Sequence, residues 1–177
     1  MGIFAWHFTR DTLRDGRPIP AIGEWLEHEG DVVMCESGLH ASARILDALD
    51  YAPGNMIHRV ECDDIVQRHK DKLVCRRRRI IATFDGEDLL RNFARFATWT
   101  VLPLWDAPDV VVAYVLSGDE KMRCAAYDAA YDAACAAARA AAYDATAFYG
   151  AYDAARDAFT LLLESQVLAH MTTATLD

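Results

Sequence analysis

The spacing of apolar positions changes along this chain, and each change predicts a different kind of element. Residues 3–8 form a short apolar and aromatic run, Ile-Phe-Ala-Trp-His-Phe, which predicts a buried strand. Residues 11–16 follow as a helical turn, and Arg17-Pro18-Ile19-Pro20 as a segment held extended by its prolines. Val32-Val33-Met34-Cys35 predicts a second strand. Ser42 then stands as the N-cap of a helix through about Tyr51, with Ile45, Leu46, Leu49 and Ala52 on one face and Pro53-Gly54 as its end. Over residues 55–62, Met56, His58, Val60 and Cys62 alternate with Ile57, Arg59 and Glu61, the period of a half-exposed strand. Residues 73–84 predict a longer strand. Past Asp85-Gly86 the period lengthens, and Leu89, Leu90, Phe93, Phe96, Ala97 and Thr100 or Val101 recur at helical spacing. Asp106-Ala107-Pro108 predicts the cap of another helix, with the proline just inside it, followed by Val110, Val111, Tyr114 and Val115.

From residue 124 to 158 alanine dominates, and alanine has the best intrinsic helix propensity because it loses no side-chain entropy. The run predicts one long helix over residues 118–171, started by Ser117 or Asp119 as N-cap and followed by a disordered tail at 172–177. Gly150 is the residue at which it could break. Tyr127, Tyr131, Cys135, Arg139 and Tyr143 recur every four residues, so the row winds slowly around a helix that turns every 3.6. Small residues therefore lie on several sides, with tyrosine rings at their margins. That surface predicts an oligomerisation or docking helix, with Tyr127, Tyr131, Tyr143 and Tyr152 as interaction side chains; a solvated single helix studded with aspartates is the plainer reading. No regular strand-helix alternation is present, so the fold class is α+β: a mixed sheet-and-helix body over 1–117 that closes with a pair of short helices, and the long helix behind it.

Charge narrows the partners. The first 117 residues carry 14 Lys and Arg against 18 Asp and Glu, the remainder 4 against 9, and the whole chain is at net −9. Neither segment attracts nucleic acid generally. Arg76 to Arg79 form the one dense positive run. In a strand Arg76 and Arg78 share a side, which makes them a candidate anion site; solvated arginines paired with carboxylates are the alternative. The five cysteines are odd in number and scattered without a Cys-x-x-Cys pair, which predicts reduced thiols and a cytoplasmic setting. The amino terminus reads as no signal peptide, no apolar run approaches a bilayer span, and the chain is expected to be soluble. His58, Cys62 and His69 have loosely ligand-like spacing but no fourth ligand nearby, so no metal is expected.

Two segments set polar groups beside apolar strands: Trp6-His7-Phe8-Thr9 and Cys35-Glu36-Ser37-Gly38-Leu39-His40-Ala41-Ser42. Each places a histidine at a strand end, where it could hydrogen-bond a ribose or phosphate, and Gly38 would permit close backbone approach. A core histidine and a loop histidine are the ordinary alternatives. The order of His7 and Thr9, Gly38, His40 and Ser42, then Ala48 and Tyr51, resembles the ADP-ribosyltransferase pattern. That resemblance implies NAD as ligand, His7 as ribose anchor, and His40 where the family's stacking tyrosine stands. Phe8 takes the place of the family's glycine, and Glu61 and Glu87 are the nearest candidates for its glutamate.

Cys35 to Ser42, the Tyr51-Ala52-Pro53-Gly54 turn, Asp71 to Val74 and the alanine-rich tail are also similar to small bacteriophage and prophage proteins. This second resemblance implies a viral context and little chemistry; the alanine-rich helix adds the expectation of a phage-encoded interaction protein in a bacterial cytoplasm, with the body recognising a host or defence complex and the helix associating with itself or a partner. An NAD- or ADP-ribose-binding protein, or a divergent transferase, is the alternative function.

Overall fold

A computed structural model describes the backbone of residues 2–141 and 145–173, with side chains over 2–133 and 156–172. Among these residues the chain forms five strands and five α-helices: β1 (Ile3–Thr9), β2 (Trp25–Glu27), β3 (Leu39–Ala41), α1 (Ile45–Leu49), β4 (Met56–Arg68), β5 (Leu73–Asp85), α2 (Glu87–Val101), α3 (Asp109–Ser117), α4 (Arg123–Ala141) and α5 (Ala145–Thr173). The fold is α+β, and all strand pairs are antiparallel. No helix among the described residues is long and apolar enough to cross a membrane.

The chain divides into two compact units, residues 1–87 with 158–177, and residues 88–157. In the first, β4 and β5 form a hairpin of two 13-residue strands, with β1 along β4 and both β2 and β3 along the far side of β5. Irregularities in the register at Arg59/Val60 and Ile65/Gln67 bend the hairpin, as bulges do. Ser42, just past β3, exchanges two hydrogen bonds with the outer edge of β1: Trp6 N–H to the Ser42 carbonyl at 2.7 Å and Ser42 N–H to the Trp6 carbonyl at 3.0 Å. The sheet therefore curls until β3 meets β1. Its inner face buries Ala5, Leu39, Ala41, Val60, Cys62, Leu73, Cys75 and Ile80, with Ile19 and Leu26 packed against them.

The outer face carries Trp6, Phe8, Ile57 and Phe84, and α1 and the end of α5 lie against it. His170 of α5 meets the Phe84 ring at 5.1 Å, and Thr160, Leu163, Val167 and Met171 are buried along one side of the helix. α1 has no side-chain cap of its own; the Glu164 carboxylate of α5 accepts from Ile45 N–H at 2.9 Å and supplies one.

In the second unit, α3 and α4 pack Val111, Val115 and Ala126. Gly118 ends α3 at φ 67, and the Arg95 guanidinium donates to the Val115 carbonyl beside it. The positive φ is what favours glycine at this position, since the Arg95 guanidinium near it is the movable end of a long side chain. Asp119 caps the short Glu120–Met122 turn that leads into α4.

Several sequence expectations are corrected. Residues 32–35 are no strand: Val33 bridges to Ser37 and Cys35 sits at φ 68, closing a turn. Ser42 is no helix cap, since its backbone is committed to Trp6 and α1 starts only at Ile45. Pro108 stands at the N-cap of α3 rather than inside it. α5 continues through Gly150 without a break and reaches Thr173. Tyr143 and residues 174–177 lie outside the described residues.

Candidate functional site

Alternation along β1, β4 and β5 brings polar residues from three strands into a row on the inner face. His7 pairs in register with His58, and His58 with Thr83. His58 is 1% exposed and held on both sides, Nε2 against Thr9 Oγ1 at 2.8 Å and Nδ1 against Thr83 Oγ1 at 2.6 Å. Burial, and then the nearby Arg78 cation, lowers its pKa to about 4. It is therefore neutral at pH 7, one ring nitrogen donating and the other accepting.

His7 stacks on His58 at 6.3 Å and is half-buried. Burial first, then Arg78, holds its pKa well below the usual imidazole value. Unlike His58, its ring nitrogens have no hydrogen-bond partner among the described residues. A neutral imidazole with a free donor and a free acceptor sits on the face of a curled sheet.

Arg78 projects to the same face, since it pairs with Cys62. It is 6% exposed, and its Nη1 donates to the His40 carbonyl. Its neighbours in sequence are spoken for: Arg76 pairs with Asp64 at 3.4 Å, Arg77 with Glu27 at 2.9 Å, and Arg79 with Glu61 at 2.6 Å. Trp25 of the edge strand β2 lies under both Arg77 and Arg79, at 4.6 and 4.8 Å. Among the described residues no carboxylate pairs with Arg78.

The segment singled out around Gly38 lies against this face, but its own side chains are occupied. His40 Nε2 accepts from Cys35 N–H at 2.9 Å, which fastens the turn that holds Cys35 at positive φ. Burial lowers the His40 pKa as well. Gly38 has φ 102, and a Cβ there would come within 2.7 Å of Val32 and Val74 side-chain atoms, so the close approach it permits is that of two valines. Thr9 belongs to the row through His58. Ser42 contributes its backbone bridge. Tyr51 lies at the hairpin turn, its hydroxyl donating to Asp71 with the Lys72 ammonium over its ring at 4.6 Å. Glu61, which alternates with Val60 and Cys62, faces the other way and is tied to Arg79. Arg76 is a half-exposed ion pair, so it shares no open patch with Arg78.

Sequence reasoning named His7, Thr9 and Arg78 but took His58 as a strand residue with loosely metal-like spacing to Cys62 and His69, not as a partner of His7. The signal that could have found it was its place in the same alternating set as the buried Val60 and Cys62. Among the described residues no three His, Cys, Asp or Glu side chains gather as a metal would need. On α4, Tyr127 and Tyr131 are 69% and 61% exposed; the Tyr152 side chain lies outside the described residues.

No curated protein and no solved structure matches the chain. One family model does, over residues 3–92, a span that takes in all five strands, the histidine row and Arg78, and stops within α2. The chain belongs to the family described as Domain of unknown function (DUF7666).

Proposed function

We propose that the curled sheet is a binding module for a phosphorylated nucleotide of the NAD or ADP-ribose class. The observation that carries this reading is His7: an imidazole kept neutral, with both nitrogens unclaimed, beside a buried guanidinium on a concave face. A neutral imidazole offers one donor and one acceptor, which is what a ribose diol can meet. A ligand at 100 times its dissociation constant stabilises the folded state by about 2.7 kcal/mol. Titrating ADP-ribose or NAD into the full chain should therefore raise its melting temperature saturably, and His7→Ala should remain folded and lose the shift. An indifferent wild-type protein sinks the reading.

A second reading, an interaction protein, is favoured by the surface of the helical unit. Phe96, Trp99, Leu104, Leu116, Tyr127 and Tyr131 are all exposed there, over a small buried core of Phe93, Val111, Val115 and Ala126. That much apolar surface on a small unit is what a protein interface covers, and self-association is the version the alanine-rich helix suits. Light scattering should give a mass above one chain that falls when Tyr127→Lys and Tyr131→Lys are combined. A monomer at every concentration removes self-association.

A further inference from the structure

Arg78 stands out from the other arginines of β5 by what it lacks. On β5, the three arginines beside it reach solvent and each has a carboxylate. The one that is buried, where an uncompensated charge costs most, has a single hydrogen bond to a neutral carbonyl. Of the groups that face it, His7, His40 and His58 are imidazoles whose pKa values burial lowers, and the Cys75 thiol donates to the Leu39 carbonyl at 3.2 Å. The guanidinium stays protonated under any ordinary condition and carries five N–H donors in a planar fork. One donor is used. Its other nitrogens have no hydrogen-bond partner among the described residues, and they are not among the nitrogens fully enclosed without one.

We infer that Arg78 is the anion anchor of the inner face, and that the ligand presents a phosphate or diphosphate group to its open fork. The inference rests on the nucleotide reading for the location of the site, but it concerns the charged end of the ligand and stands independently of its base. A phosphate oxygen pair matches the fork and supplies the charge the site lacks. The neutral His7 beside it then donates to or accepts from the same ligand without competing for the anion.

The experiment titrates the full chain with inorganic pyrophosphate, inorganic phosphate, ADP-ribose and, as the uncharged control, adenosine, following melting temperature and heat of binding. Pyrophosphate and ADP-ribose should bind saturably and adenosine should not. Arg78→Met should weaken pyrophosphate at least about tenfold, the loss of one charge-assisted bidentate contact. It should also melt no lower than the parent, because an apolar chain replaces a buried charge that has no carboxylate. Arg78→Lys keeps the charge without the fork and should bind with intermediate affinity, which preserves the test if the methionine variant does not fold. Indifference of the wild-type chain to every anion overturns the inference, as does pyrophosphate binding that Arg78→Met and Arg78→Lys leave unchanged. Pyrophosphate binding without ADP-ribose binding keeps the anion anchor and removes the nucleotide reading. ADP-ribose binding that is equally tight in Arg78→Met does the reverse.

Discussion

A chain ended at Asp157 should fail to hold the fold of its sheet, even though every strand is still present. The end of α5 completes that unit: Leu163 and Val167 are 0% exposed, Met171 5%, and Thr160 4%. Thr160 Oγ1 accepts from Arg44 at 3.1 Å, and Glu164 supplies the cap that the five-residue α1 does not have. Replacing one buried leucine by alanine costs about 2–5 kcal/mol, and a domain's entire net stability is about 5–15. Leu163→Ala alone should therefore remove a large share of the stability, and deletion of residues 158–177 should exceed it. Leu161 provides the control within the same helix. It is 71% exposed, so Leu161→Ala should stay within about 0.5 kcal/mol of the parent. Urea unfolding of the three variants followed by circular dichroism decides the matter. Equal midpoints for Leu163→Ala and Leu161→Ala would mean that α5 does not dock on the sheet.

That dependence was not legible in the sequence, for a physical reason. Apolar residues occur all around α5 from Leu161 to Met171, so no stripe marks the side that packs; only contact with the sheet separates Leu163 from Leu161. What could be read was whatever follows from local period. The alternation at Met56 to Cys62 gave a strand, the spacing from Leu89 to Val101 gave α2, and the alanine run gave helix on either side of residues 142–144. Local pattern misled where a short segment serves a distant partner. Ser42 has the chemistry of a helix cap, yet its backbone closes the sheet against Trp6, while the cap of α1 comes from a glutamate 119 residues away. Val32 to Cys35 has strand composition, but the bond from Cys35 N–H to His40 pulls it into a turn. The site was half legible in the same way. Alternation says that two of the four arginines face inward, but only the register of β4 on β5, which sets Arg78 against Cys62, shows which one is buried.

Acidification from pH 7 to pH 4 should cost the protein about 3 kcal/mol through His58 alone. The folded state holds this imidazole at a pKa of about 4, against 6.5 for the free side chain, so between those values the unfolded chain binds a proton that the native one refuses. Stability therefore rises with pH across this window: the contribution is fully present above about pH 6.5 and is lost as pH falls toward 4. A difference of 2.5 units at about 1.36 kcal/mol each sets the size. His7, whose pKa burial also lowers, acts in the same direction. Asp15 and Asp71 have pKa values below the ordinary 3.8 and lose their contributions only at lower pH. The measurement is urea unfolding at half-unit steps from pH 7 to 4, for the parent and for His58→Gln. The glutamine amide can still donate on one side and accept on the other between Thr9 and Thr83 but does not titrate, so its stability should fall less steeply over the same range. A variant whose stability runs parallel to the parent's would show that the buried imidazole is not held neutral. The row of His7, His58 and Thr83 would then lack the uncharged floor against which the Arg78 cation stands alone.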